Sequence, residues 1–141
     1  MPPIKEIIDT FRSEGFKITP QRRLLFEILS GNNSHPSAED VYQFALKKMP
    51  DISRTTVYST LNELLNMGLI DSIKGISEKH LRFDTKTSVH HHLYCQDCGR
   101  IVDIDLDISS LAPPTDASDG FQVLRKQITF FGYCKQCKSH N

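Results

Sequence analysis

Two Cys-x-x-Cys pairs contain every cysteine of this 141-residue chain: Cys95 with Cys98, and Cys134 with Cys137. Two thiolates on a tight turn can reach one ion at about 2.3 Å, and two such turns complete a closed tetrahedral site for zinc. A disulfide framework is not expected, because the chain is long enough to build an apolar core and shows no secretory signal segment. The pattern therefore predicts a structural Zn²⁺ in the second half of the chain.

The composition is that of an ordinary globular protein with no overall charge. Lys plus Arg number 17 and Asp plus Glu number 17, and 38% of the residues are hydrophobic. No apolar run approaches the roughly 20 residues that a membrane-spanning helix needs. We therefore expect a cytoplasmic protein without a membrane partner, in which any DNA binding depends on a local surface rather than on net charge.

Capping and stop residues predict four short helices in the first 68 residues. Thr19 precedes Pro20, Ser37 forms a capping box with Asp40, and Ser53 precedes the fourth helix. The predicted stops are Gly15, Gly31, Pro50 and Gly68. After the fourth helix the apolar spacing changes to that of two strands, residues 69–73 and 81–83, around a polar turn at Lys74–Lys79. Helices followed by a hairpin predict a winged helix-turn-helix.

From Thr85 onward the pattern is mostly that of strands. They are predicted at His90–Tyr94, Ile101–Leu106 and Phe121–Tyr133, with a polar stretch from Ser109 to Gly120. The predicted fold class is α+β, with a winged-helix domain at residues 1–84 and a small α/β domain at residues 85–141 that carries the four-cysteine zinc site. Thr85–Ser88 is the predicted linker.

The fourth helix offers polar side chains to a DNA groove. A recognition helix directs its N-terminal residues at base edges, while Lys and Arg side chains hold phosphates. The predicted DNA-binding residues are Lys17, Arg22, Arg54, Thr56, Tyr58 and Ser59, with Arg23 as a further phosphate contact. The alternative interpretation is a helical bundle whose charged face is merely solvated.

A second group of ligand-type residues lies close to the cysteines in the sequence. On a strand, His90 and His92 point to one face and His91 to the other, so the first two can share an ion while His91 is expected to be solvent-exposed or to support a ligand. Adding His35, Asp84 and Asp103 gives a nitrogen and oxygen site that suits Fe(II), Mn(II) or Zn(II). Taken singly, His35 could merely begin a loop and the two aspartates could be surface charges.

Five segments together resemble the ferric uptake regulator family. They are ITPQR at 18–22, HPSAED at 35–40, TVY at 56–58, RFD at 82–84 and HHHLYCQDCG at 90–99, in that order and over nearly the whole chain. The resemblance implies a homodimeric, metal-dependent repressor that binds a palindromic operator in double-stranded DNA. It also implies that the second domain serves dimerisation.

Within that family, the chain is most similar to the peroxide-sensing members. Their regulatory site matches His35, Asp84, His90, His92 and Asp103, which implies Fe²⁺ or Mn²⁺ there and oxidation of a ligand histidine by hydrogen peroxide. Iron-sensing members usually have Glu at the two aspartate positions and an acidic residue in place of His91, and they often have a further histidine ligand at the position of Lys126. Zinc-sensing members usually have a cysteine just before the histidines, where Ser88 and Val89 stand. Iron or zinc sensing remains the alternative.

The chain departs from the family pattern in the polar stretch from Ser109 to Gly120, and two other classes of protein are alternatives. Pro113 and Pro114 fall where the family commonly has a dimer-interface helix, so we expect that helix to be shortened or absent. A zinc hydrolase or deaminase is the enzyme alternative, but the chain lacks the His-x-Glu pattern of zinc deaminases and is expected not to be an enzyme. A zinc-stapled interaction module is the third class, and it would show no salt-dependent binding to DNA.

Overall fold

The structure of the protein is a computed structural model that describes residues 1–73 and 81–138. The chain divides into two compact units, Met1–Thr87 and Ser88–Asn141. The division falls within the predicted linker. Thr85 belongs to the first unit, where it is buried and its hydroxyl donates to the carbonyl of Asn32 at 2.9 Å. Over the described ranges, no helix has the length and apolar character needed to cross a membrane.

The first unit consists of four helices followed by two short strands. The elements are α1 (Ile4–Ser13), α2 (Pro20–Leu29), α3 (Ala38–Lys48), α4 (Arg54–Asn66), β1 (Asp71–Ser72) and β2 (Phe83–Asp84). The predicted caps are confirmed, since the side chains of Thr19, Ser37 and Ser53 accept backbone N–H bonds at the starts of α2, α3 and α4. β1 and β2 pair antiparallel, as the predicted hairpin requires, and its turn at Lys74–Lys79 lies outside the described residues.

One apolar core holds the four helices together. The rings of Phe11 and Phe26 meet edge to face with centroids 4.9 Å apart, and Leu25, Leu61 and Leu64 are buried beside them. Each fully buried side chain of this size stabilises the fold by about 1.5–3 kcal/mol relative to exposure. The core fixes one face of α4 against α2 and α3, and the opposite face of α4 is exposed to solvent.

The second unit contains a three-stranded sheet and two helices of four residues. Its elements are β3 (His91–Cys95), β4 (Ile101–Ile104), α5 (Thr115–Ser118), β5 (Thr129–Gly132) and α6 (Lys135–Lys138). β3 is central, antiparallel to β4 and parallel to β5. The pairing sets His92 opposite both Asp103 and Thr129, which brings ligand-type residues of two strands together.

The strand predicted at Phe121–Tyr133 is wrong over most of its length. Only Thr129–Gly132 pairs with β3, and the preceding residues include Phe121 and Leu124, which are 77% and 86% exposed. β3 begins only at His91, so residues 121–128 have no continuous strand beside which to form a ladder. The expected shortening around Pro113 and Pro114 is confirmed, because α5 is a single turn that starts directly after Pro114.

Candidate metal centres and nucleic-acid interface

The four cysteines come together at one end of the sheet of the second unit. Cys95 ends β3, Cys98 follows in a turn, Cys134 follows β5 and Cys137 lies in α6. Their sulfur atoms all lie within 4.8 Å of one another. Sγ of Cys98 is 3.8 Å from Sγ of Cys134, which is roughly the edge of a tetrahedron with 2.3 Å zinc–sulfur bonds. The cluster therefore fits the predicted structural zinc.

Backbone N–H groups prepare this cluster for a cation. The N–H groups of Cys134 and Cys98 lower the pKa of the Cys95 thiol to about 6, so that thiol is already a thiolate at neutral pH. Hydrogen bonding with the Cys134 side chain raises the pKa of Cys137. A metal that binds four thiolates would displace the remaining protons, as structural zinc does.

A nitrogen and oxygen cluster forms within the same unit from β3, β4 and the residue before β3. Nε2 of His90 and Nε2 of His92 lie 3.5 Å and 3.3 Å from the same carboxylate oxygen of Asp103. Both histidines are almost completely buried, and their ring centroids are 4.6 Å apart. Two imidazoles and one carboxylate directed at a common point are the ligand types of Fe(II), Mn(II) or Zn(II).

The Nδ1 atoms of His90 and His92, which are not the atoms near Asp103, contact other groups of the second unit. Nδ1 of His90 lies 2.7 Å from the carbonyl of Ser88, so Nδ1 carries the hydrogen and the lone pair is on Nε2. The side-chain amide of Gln127 lies 3.4 Å from Nδ1 of His92. Metal-bound histidines usually have such partners. Neither contact could be predicted from the sequence, because Ser88 contributes a backbone carbonyl and Gln127 is placed there by the pairing of β5, which follows it, with β3.

The remaining predicted ligands form a pair in the first unit. His35 and Asp84 are both buried, with Nε2 of His35 3.7 Å from Oδ2 of Asp84. The other carboxylate oxygen, Oδ1, accepts the N–H of Lys86 at 2.9 Å. The N–H of Phe83 donates to the carbonyl of Pro36, which ties the loop of His35 to β2 beside Asp84.

The backbone of His35 is strained. Its φ is +51°, in the left-handed region that residues other than glycine rarely adopt. It also precedes proline, which further restricts its backbone. Such strain concentrates at functional sites. This observation favours a ligand role over the simpler interpretation that His35 only begins a loop.

His91 is not solvent-exposed, contrary to one of the two roles predicted for it. Its side chain is buried, with Nε2 3.1 Å from the carbonyl of Leu106 and Nδ1 accepting the N–H of Ile128 at 3.1 Å. The physical reason is that Leu106, after β4, and Ile128, before β5, both bond to this imidazole. His91 connects the two segments that contain these residues.

Four of the predicted DNA-binding residues share the outer part of α4. Arg54, Tyr58 and Ser59 are exposed and Thr56 is partly exposed, while Val57 between them is buried in the core. Lys17, just before α2, is exposed as well. The first two turns of α4 thus expose the side chains that were predicted to contact DNA.

Arg22 is engaged inside the first unit. Its Nη2 atom lies 2.8 Å from Oε2 and 2.9 Å from Oε1 of Glu63, and its guanidinium stands over the rings of Phe11 and Phe16. The side chain is only 17% exposed. Sequence spacing placed Arg22 at the start of α2 but could not reveal that α4 brings a glutamate to meet it.

Comparisons with known proteins match nearly the whole chain. The model of the ferric uptake regulator family matches residues 13–131. The peroxide operon regulator of Bacillus subtilis is 33% identical over 138 residues, covering 95% of this chain and 92% of that protein. That family consists of transcriptional regulators and not of enzymes, which removes the hydrolase and deaminase alternative.

Solved structures of the same family share the fold. The ferric uptake regulator of Helicobacter pylori superimposes with a TM-score of 0.78 at 21% identity, covering 97% of this chain and 95% of that one. The peroxide stress regulator of Campylobacter jejuni superimposes with a TM-score of 0.63 at 26% identity, covering 97% and 100%. Regulators of this kind are dimeric DNA-binding repressors with structural zinc and regulatory metal sites. The chain belongs to the ferric uptake regulator family.

Proposed function

We propose that this protein is a homodimeric repressor that binds a palindromic operator in its metal-loaded form and releases it on reaction with hydrogen peroxide. The observation that carries the proposal is the convergence of His90 and His92 on one oxygen of Asp103. The peroxide operon regulator of Bacillus subtilis, 33% identical, supplies the analogy for the signal. The cytoplasm is the proposed compartment, since it keeps the four zinc thiolates reduced.

The proposed regulatory ligands are His35 and Asp84 in the first unit and His90, His92 and Asp103 in the second. Two carboxylates balance the charge of a divalent ion, and the three imidazoles favour Fe(II), Mn(II) or Zn(II) over Mg²⁺ or Ca²⁺. The strained backbone of His35 and the carbonyl contact that fixes the His90 tautomer support a ligand role for both. The four cysteines are assigned to Zn²⁺ and take no part in sensing.

One ion bound by ligands of both units would favour a single arrangement of the two DNA-binding units in the dimer. Two recognition helices could then meet half-sites about one helical turn apart. Coupling of about 1–3 kcal/mol between metal and DNA corresponds to roughly 5- to 150-fold in operator affinity. That range is sufficient for a regulator.

Fe(II), when bound, would supply the electron that reduces hydrogen peroxide. The reactive oxygen species formed in this way would oxidise an adjacent side chain. The residues of this chain then decide which side chain reacts. His35 and His90 are the proposed targets, because both are proposed ligands of the ion. Oxidation of a ligand weakens metal binding and thereby releases DNA.

Mass spectrometry and DNA binding on the Fe(II)-loaded and Mn(II)-loaded protein test the proposal. With Fe(II), peroxide should add oxygen to the peptide of His35 or His90 and abolish binding to an operator selected from a randomised duplex pool. With Mn(II), neither change should occur. Binding lost only on metal removal, with no oxidised histidine, would contradict peroxide sensing and indicate an iron- or zinc-responsive repressor instead.

A further inference from the structure

The first residue of α4, Arg54, is held in one orientation by two residues of α3. Nε and Nη2 of Arg54 donate to the two carboxylate oxygens of Glu39 at 3.2 Å and 2.9 Å. The guanidinium carbon lies 4.5 Å from the ring centroid of Tyr42. The side chain of Arg54 remains 59% exposed. The guanidinium plane is therefore fixed by the Glu39 carboxylate along one edge and by the Tyr42 ring on one face.

This arrangement uses only part of the donor capacity of Arg54. A guanidinium carries five N–H donors, one on Nε and two on each terminal nitrogen. Glu39 occupies the edge formed by Nε and Nη2. The end formed by Nη1 and the second hydrogen of Nη2 has the spacing for a bidentate contact with O6 and N7 of guanine, the commonest specific arginine contact in the major groove.

Glu39 is itself fixed. Gln43, one turn later in α3, donates to Oε1 of Glu39 at 2.9 Å. Glu39 also lies in the first turn of α3, where the helix dipole favours a negative charge. The Arg54 side chain keeps the pKa of Glu39 below its usual range, so the carboxylate stays ionised at neutral pH. The acceptor is thus in place before DNA arrives.

We propose that Arg54 reads a guanine in each half of the operator, with Glu39 and Tyr42 as the residues that position it. This inference rests on the proposed function, in which α4 enters the major groove. It names one base pair of the recognised sequence and two positioning residues on a different helix. It also gives a role to Glu39, whose negative charge near the DNA would otherwise only weaken binding.

Two simpler roles compete with this one. An exposed ion pair between α3 and α4 contributes little to stability, so stability alone is a weak reason for the arrangement. A phosphate contact needs no fixed guanidinium plane, and the Glu39 carboxylate beside Arg54 would repel the phosphate. A contact with a base edge depends on that plane, because both hydrogen bonds lie in it.

Operator selection with the Mn(II)-loaded full-length dimer provides the test. Binding is then measured to the selected duplex and to duplexes with one base pair replaced at each half-site position. For the wild-type chain, replacing the G·C pair read by Arg54 should reduce affinity roughly 5- to 150-fold. Arg54→Ala should prefer that pair by less than about twofold while keeping the other preferences, since it removes the guanidinium fork.

The Glu39→Ala variant distinguishes the effect of Glu39 on the orientation of Arg54 from the effect of its negative charge on DNA binding. Removing the carboxylate should lower the preference for guanine while leaving affinity for the other duplexes equal or higher, because a negative charge near DNA is lost. Arg12→Ala on α1 is the matched control for the loss of one exposed arginine. Circular dichroism and zinc content of each variant check that it is folded.

Three results would overturn the inference. Equal weakening on every duplex by Arg54→Ala would make Arg54 a phosphate contact, and an unchanged guanine preference in that variant would leave it without a base contact. A Glu39→Ala variant with full guanine preference would remove Glu39 as a positioning residue. Failure of the wild-type dimer to select any duplex would instead refute the proposed function, and the inference with it.

Discussion

The backbone N–H of Ile128 donates to Nδ1 of His91 at 3.1 Å, beneath the sheet and one residue away from two proposed metal ligands. The opposite ring nitrogen, Nε2, lies 3.1 Å from the carbonyl of Leu106. Because Nδ1 accepts, the hydrogen of the neutral ring is on Nε2 and is donated to that carbonyl. His91 thus links the segment after β4 to the segment before β5 and cannot turn towards a metal without breaking both bonds.

Replacing His91 with Leu should destabilise the second unit. The Ile128 N–H and the Leu106 carbonyl both lose their partner, at a cost of about 1–3 kcal/mol. We expect a lower urea midpoint at fixed protomer concentration, with unchanged zinc content. An unchanged midpoint would show that water replaces the imidazole at no cost.

Replacing Thr60 with Val should stabilise the first unit. The Thr60 hydroxyl is fully buried and has no hydrogen-bond partner among the described residues. A methyl group in its place removes the desolvation cost and should raise the free energy of unfolding by about 1 kcal/mol. Thr55→Val, at an exposed position of α4, is the matched control and should change stability by less than about 0.5 kcal/mol. A destabilised Thr60→Val would indicate that the hydroxyl is satisfied by water.

The helices could be predicted because their signals are local. Thr19, Ser37 and Ser53 each bond within three residues of their own position, so the sequence alone contains both partners. Whether residues 121–128 form a strand could not be predicted in the same way. A strand exists only where a second strand continues beside it, and the start of β3 is decided elsewhere in the chain.

The candidate sites show the same difference. Alternation along the predicted strand was enough to predict that His90 and His92 face one point, and the pairing of β4 with β3 sets Asp103 opposite His92. The burial of His91 depended on which segments cover the opposite face of the sheet. The clamp of Glu39 on Arg54 depended on how α3 packs against α4, which spacing within either helix does not reveal.

Replacing Lys126 with Met should loosen the polar segment after β4. The Lys126 ammonium donates to the carbonyls of Ile108, Ser109 and Leu111 at 3.0, 3.0 and 2.7 Å. Hydrogen bonds to a charged group contribute about 1.5–3 kcal/mol, so amide exchange at residues 108–111 should accelerate at least tenfold. Lys5→Met, at an exposed position of α1, is the control.

The same ammonium predicts the metal content. A cation that already lies among these carbonyls leaves no place for a second regulatory ion near Lys126. We expect one zinc and one regulatory ion for each protomer by native mass spectrometry. A third bound ion in the wild-type protein would contradict this assignment of Lys126.

Replacing Cys95 with Ser should abolish the structural zinc. Cys95 lies in β3, and its sulfur also accepts the N–H of Cys134 at 3.3 Å, so the change removes a ligand and a link to the segment after β5. Structural zinc contributes about 10–16 kcal/mol of apparent binding energy to small domains. Zinc content should fall well below one ion per protomer, with loss of order in the second unit and retained helical circular dichroism from the first. Chelator-treated wild-type protein should behave alike, whereas zinc retained by the variant would mean that three thiolates suffice.

Replacing Asp103 with Glu should separate metal binding from peroxide sensing. The Asp103 oxygen lies 3.3 Å and 3.5 Å from the two imidazole nitrogens, a spacing set by a short side chain on β4 directly opposite His92. Glutamate keeps the charge but reaches one methylene further, where it would compete with peroxide for access to bound iron. We expect metal-dependent DNA binding to persist while peroxide no longer releases the operator or oxidises a histidine. Asp105→Glu, two residues further along and exposed, is the matched control and should respond as the wild type does. A full peroxide response in Asp103→Glu would show that this carboxylate does not determine peroxide sensing and would leave Asp84 as the candidate.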